Sequence, residues 1–134
     1  MRKLFLDDER QPWDDSWDHV KTPLEFKKYI TDLYALTNKL PDIISFDHDL
    51  HYEHFDIPKN YSRMYENYKH ETGWHCAKWL CDFCIDEGLE VPEISIHSAN
   101  KIGADNIAKT IMNVCLFYYE DERIIVPKPY DLGF

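Results

Sequence analysis

The sequence predicts a single α/β domain over residues 1–134, a parallel sheet wrapped by helices, and three observations carry that expectation. Short apolar runs recur between helix-like patterns, which is how parallel strands joined by crossover helices read in a chain. Polar, chemistry-bearing residues collect at the carboxyl ends of those runs, where open parallel sheets bind their ligands. With 134 residues, 44% hydrophobic and 15% aromatic, the chain has the material for one core and is short for two.

The first strand is the apolar run Leu4 to Leu6, which stops at adjacent carboxylates, Asp7 and Asp8, with Glu9 and Arg10 behind them. Neighbouring like charges repel, so this strand end requires a positive partner: a metal ion, a basic side chain or a shared proton. A weaker extended piece, "WDHVK", is the second strand. Only "ERQPWDDS" separates the two, too short for a good helix, so the first helix of the fold is reduced to a loop. Thr22-Pro23-Leu24-Glu25 then reads as a capping box with proline in the first turn, and Phe26, Tyr29, Ile30 and Leu33 share one face of the helix it opens.

Ile43, Ile44 and Phe46 form the third strand, ending in "DHD". From His51 to Glu71 follows a polar, tyrosine-rich stretch with Tyr52, Tyr61, Tyr65, Tyr68, His54 and His70 and no strong period. Such a long insertion is either a lid over a site or an irregular loop packed down on the domain. The segment "TGWHCAKWLCDFCIDEG" is helical, with Ala77, Leu80, Cys81, Cys84 and Ile85 on one stripe and Gly88 just past its end. Ile94 and Ile96 mark the fourth strand. A helix from about Gly103 stripes Ile107, Ile111, Val114, Cys115 and Tyr118, and Ile124, Ile125 and Val126 in "RIIVPKP" make the fifth strand.

A formal charge of −10 and a pI near 5.0 exclude a protein that coats duplex nucleic acid, since that binding neutralises many phosphates with Lys and Arg. A local pocket for one phosphate is still allowed. No apolar stretch is long enough for a membrane span and the N-terminus lacks a signal-peptide core, so a cytoplasmic chain is expected. Cys76, Cys81, Cys84 and Cys115 are too few and too clustered for a disulfide framework. Cys81 and Cys84 form a CxxC with His75 nearby, but they lie on an apolar stripe without a second thiol pair, which predicts core packing rather than zinc.

Read at their carboxyl ends, the strands present Asp7, Asp8 and Arg10, then Asp47, His48 and Asp49, then His97, Ser98 and Asn100, then Lys128. Opening a 2',3'-cyclic phosphate or cleaving another phosphodiester requires a base to activate water and an acid to protonate the leaving oxygen, roles two histidines can share near neutral pH. His48 and His97, with Asp47, are therefore the candidate catalytic residues. Arg10 and Lys128 supply positive charge to the phosphate oxygens, and Ser98 and Asn100 supply hydrogen bonds together with the amides of the following helix. Ser98 and Asn100 are equally good helix caps. Asp7, Asp8, Asp47 and Asp49 as an oxygen-only set favour magnesium or manganese; with the histidines added, manganese, zinc or iron also fits. The alternative is that the acids orient the histidines with no metal, and spacing leaves both open.

An acid pair after the first strand, Asp47 after the third, Ser98 after the fourth and Lys128-Pro129 after the fifth resemble the residue set of response-regulator receiver domains. "DDER", "SFDHDL" and "HSAN" together are similar to a divergent branch, the cyclic-phosphate processing receiver domain family. The resemblance covers nearly the whole chain. It implies a three-layer, receiver-like (flavodoxin-like) fold with a five-stranded parallel sheet of order 2-1-3-4-5, the last helix being absent because the chain stops shortly after Lys128-Pro129. In receivers it further implies that the acids hold magnesium, that Asp47 accepts a phosphoryl group, and that the hydroxyl and lysine contact it.

Three functions follow as expectations. The branch implies a phosphoesterase acting on a cyclic phosphate, carried by a 2',3'-cyclic nucleotide, an RNA end or a cyclic nucleotide messenger. Its rivals are a phospho-accepting signalling module with Asp47 as acceptor, and a non-catalytic sponge that captures a nucleotide beneath the 51–71 insertion.

Overall fold

The computed structural model describes residues 1–51, Tyr65 and residues 69–128. Most of the 51–71 insertion, including Tyr52, His54, Tyr61 and Tyr68, and Pro129 lie outside the described residues. The elements run β1 (Lys3–Leu6), β2 (Trp17–Val20), α1 (Pro23–Thr37), β3 (Ile43–Phe46), α2 (Gly73–Glu87), β4 (Glu93–Ile96) and α3 (Lys101–Tyr119). The sheet has the order β2-β1-β3-β4, and every neighbouring pair is parallel. This is an α/β receiver-like fold. Among the described residues, no helix is long and apolar enough to cross a membrane.

Four strands are formed among the described residues, not the expected five. The run Ile124 to Val126 lies outside any ladder; only the Lys128 amide, bonded to the Ile96 carbonyl at 2.9 Å, ties its end to β4. Ile125 is buried, while Ile124 and Val126 are exposed. The Ile125 amide donates to Met112 Sδ at 3.3 Å rather than to a strand carbonyl.

Helix boundaries follow their caps. Thr22 Oγ1 accepts the Glu25 amide at 3.1 Å with proline opening α1, and Asn38 closes it in the left-handed region at φ 62°. Thr72 caps α2, and His75 completes the capping box by accepting the Thr72 amide on Nδ1 at 2.8 Å. Gly88, at φ 68°, ends that helix. For α3 the cap is Asn100, so the helix starts at Lys101, two residues before the expected Gly103.

Period-two alternation sorts the strands' side chains onto two faces. Leu4, Leu6, Ile44, Phe46 and Ile96 point into one core with Phe26 and Ile30 of α1, Leu80 of α2 and Ile107 and Ile111 of α3. Cys76, Cys81, Cys84 and Cys115 are buried in the same core, and burial pushes the Cys81 and Cys84 thiols up to about 12, so they are packing groups. The opposite face presents Phe5, Ser45 and His97, with Trp13 edge-on to Phe5 at 5.2 Å. The expected third, helical layer is therefore lacking among the described residues. Residues 7–16 have no room for a helix, and their tryptophan covers the face instead.

Candidate functional site

Three strands end at one rim. Asp7 and Asp8 follow β1, Asp47, His48 and Asp49 follow β3, and His97 to Asn100 lead from β4 into α3. An open cleft of about 470 Å³ lies there, lined by Asp7, Asp8, Glu9, Arg10, Asp47, Asp49, Ala99, Asn100, Lys101 and Ile102. That volume suits a small ligand.

One oxygen from each of Asp7, Asp8 and Asp47 comes within 4.8 Å of the others. Asp7 Oδ1 accepts the amides of Glu9 and Arg10, both at 2.9 Å, and Asp7 Oδ2 faces His97 Nε2 at 3.1 Å. Burial works against ionisation of Asp7, but the His97 contact and the two amides together outweigh it and hold the carboxyl below its usual value. Asp47 takes the opposite course. Burial, then the charge of Asp7, pushes it up to about 8, against the pull of Ser98 and Arg10. Burial and the neighbouring Glu9 and Asp7 also raise Asp8. The donor set is made of hard oxygens whose mutual repulsion a cation would relieve, which fits magnesium or manganese.

Asp49 lines the cleft but stands outside that trio. Its Oδ1 meets His48 Nδ1 at 2.6 Å and the Asn100 Nδ2 amide at 3.0 Å. Asn100 therefore does two things: its Oδ1 accepts the Gly103 amide at 2.9 Å to cap α3, and its amide group steadies Asp49. Its backbone amide in turn donates to Ser98 Oγ at 3.1 Å. The N-terminus of α3 faces the cleft through Asn100, Lys101 and Ile102.

The histidines lie beneath the cleft and do not line it. His48 is fully buried on the helical side, with Nε2 2.8 Å from Tyr65 Oη, and it fits against α3 only because Gly103 has no side chain: a β-carbon there would run into the imidazole. His97 is buried on the opposite side of the sheet, stacked on Phe5 at 4.3 Å, with Nδ1 2.7 Å from Ser45 Oγ. Burial lowers His97 against the pull of Asp7. Lys128 is exposed and is not among the residues lining the cleft.

Residues 2–113 match the family described as the cyclic-phosphate processing receiver domain. The chain belongs to this family. The match runs from β1 into α3, so it includes every strand-end residue of this receiver domain's cleft, while Lys128 lies beyond it. Comparison with curated proteins and with solved structures found no match.

Sequence reasoning had no part for Ser45, Lys101 or Glu9 at this site, and it placed Tyr65 only among the tyrosines of a possible lid. Ser45 had a visible signal, a hydroxyl inside the apolar run "IISF". Tyr65 had none, because its meeting with His48 is a tertiary contact across the insertion.

Proposed function

We propose that this receiver domain is a phosphoesterase that hydrolyses a cyclic phosphate to a monoester, and the observation that supports it most is the Asp7, Asp8 and Asp47 trio at the floor of an open cleft. These three would hold magnesium or manganese, which supplies positive charge against the phosphate oxygens. Arg10, Lys101 and the N-terminus of α3 oppose the remaining phosphate charge from the rim. The lining carries five carboxylates against two basic side chains, so an anionic phosphate is repelled until the trio is neutralised.

Proton transfer falls to Asp49, the lining carboxylate braced by His48 and Asn100 rather than committed to the trio. Water attacks phosphorus, one ring P–O bond breaks, and the water's proton passes through Asp49 to the leaving oxygen. The cyclic diester becomes a monoester with a free hydroxyl.

The test is phosphorus NMR of the protein with 2',3'-cyclic nucleotides and with 3',5'-cyclic messengers, in magnesium or manganese. Conversion of a cyclic signal to a monoester, abolished in Asp8→Asn, supports the reading. Stoichiometric binding with no product would instead support the sponge. An adduct on Asp47 with a phosphoryl donor, lost in Asp47→Asn, would support the signalling module.

A further inference from the structure

We infer that His48 and His97 are positioning residues held as opposite tautomers, each delivering one N–H to a cleft carboxylate and accepting a hydroxyl proton, from Tyr65 and from Ser45, on its other nitrogen. Its functional consequence rests on the cleft being the site proposed above; the tautomers rest on geometry alone.

The donor directions follow from what each atom can do. His48 Nδ1 faces Asp49 Oδ1 at 2.6 Å, and a carboxylate oxygen that also takes the Asn100 amide only accepts, so Nδ1 carries the proton. Nε2 of the neutral ring is then bare and accepts from Tyr65 Oη at 2.8 Å, which itself accepts the Asn106 Nδ2 amide at 3.0 Å. On the other face of the sheet the order of atoms is reversed. His97 Nε2 faces Asp7 Oδ2 at 3.1 Å, and an ionised carboxylate only accepts, so Nε2 carries the proton. His97 Nδ1 is then bare and accepts from Ser45 Oγ at 2.7 Å.

Two hydroxyl–imidazole–carboxylate chains thus converge on the cleft from opposite faces of the sheet, with the carboxylate at the open end and the hydroxyl buried. Neither imidazole reaches the ligand. Each aims a carboxylate, His97 for the cation-binding Asp7 and His48 for Asp49, as partners behind metal ligands commonly do. A chain of donors runs from Asn106 on α3 through Tyr65 to His48.

Nitrogen-detected NMR of the uniformly labelled, cation-free protein reads the tautomers without any turnover. The expected spectrum shows His48 protonated at Nδ1 alone and His97 at Nε2 alone, with Tyr65→Phe shifting the His48 Nε2 resonance, which loses its hydroxyl donor, while leaving His97 unchanged. Equal tautomers in both rings, or either ring protonated at both nitrogens, overturns the inference whatever the enzyme does. Amide replacement is the second arm, because asparagine places its NH2 near the site of Nδ1 and glutamine near that of Nε2. Manganese affinity should stay within about threefold in His97→Gln and fall about 10- to 100-fold in His97→Asn; equal losses in the two variants would count against positioning. An intact tautomer pattern with no turnover would sink the proposed reaction and leave the positioning assignment standing.

Discussion

Gly73 lies against the Asp47 carbonyl so closely that a β-carbon on Gly73 would overlap its oxygen, while the Gly73 amide donates to the His48 carbonyl at 2.8 Å. The first residue of α2 thereby fixes the backbone that carries Asp47, His48 and Asp49. Alanine is ordinarily the better helix former by about 1 kcal/mol. Here that gain is overwhelmed by the clash, and Gly73→Ala should destabilise the fold by about 1–3 kcal/mol. Urea denaturation of the two proteins checks the sign, and an unchanged or higher midpoint would contradict the close approach.

Asp47 sets the pH dependence of the cation-free protein. Its carboxyl, ordinarily near 3.8, is pushed up to about 8 in the fold, so between those values the native state keeps a proton that the unfolded chain has lost. Stability from this group therefore falls as pH rises, by up to about 1.4 kcal/mol per pH unit. His97 and His75, both lowered by burial from 6.5, act in the opposite sense, but only below that value. From about pH 6.5 to 8 the melting temperature should decline, and saturating magnesium should remove the decline by displacing the proton. Calorimetry at pH 7 in two buffers of different ionisation enthalpy should register that proton's release on cation binding.

Arg10 and Lys128 are expected to separate sharply. Arg10 lines the cleft beside the carboxylate trio, so Arg10→Ala should cost about 10- to 100-fold in kcat/KM for a cyclic phosphate, the worth of one charged hydrogen bond. The side chain of Lys128 is exposed and outside the described lining, and Lys128→Ala should change kcat/KM less than ~2-fold. A large loss in Lys128→Ala would instead place that lysine at the phosphate and overturn its exclusion from the cleft.

What could be read from the chain and what could not divide along physical lines. Asp7, Asp8, Asp47 and Asn100 were legible because each ends an apolar run, and in a parallel sheet the ends of neighbouring strands meet. That the histidines lie close to this rim was legible for the same reason, but not their depth. Alternation carries His97 to the Phe5 face, whereas Gly103 makes room for His48 on the other, and both depend on contacts distant in the chain, such as Ser45 with His97 across 52 residues. The missing fifth strand was not legible because an apolar run of three residues has the composition of a strand, whereas whether its amides meet a neighbouring strand depends on distant contacts, such as that of the Ile125 amide with Met112 Sδ.

Asn100 joins helix stability to site geometry, and one substitution can part the two. Its Oδ1 caps α3 at the Gly103 amide, and its Nδ2 donates to Asp49 Oδ1. Asn100→Asp keeps a capping oxygen, favourably placed at the helix N-terminus, but sets a second carboxylate against Asp49 where a donor had been. Its thermal stability should stay within about 1 kcal/mol of wild type, while kcat for a cyclic phosphate falls at least about 10-fold, since Asp49 is turned from its braced position. Asn100→Ala loses both contacts and should cost about 1 kcal/mol of stability as well. Paired melting curves and turnover measurements decide the matter: if Asn100→Asp retains full turnover, Asp49 does not depend on this amide and the proton-transfer role assigned to it fails.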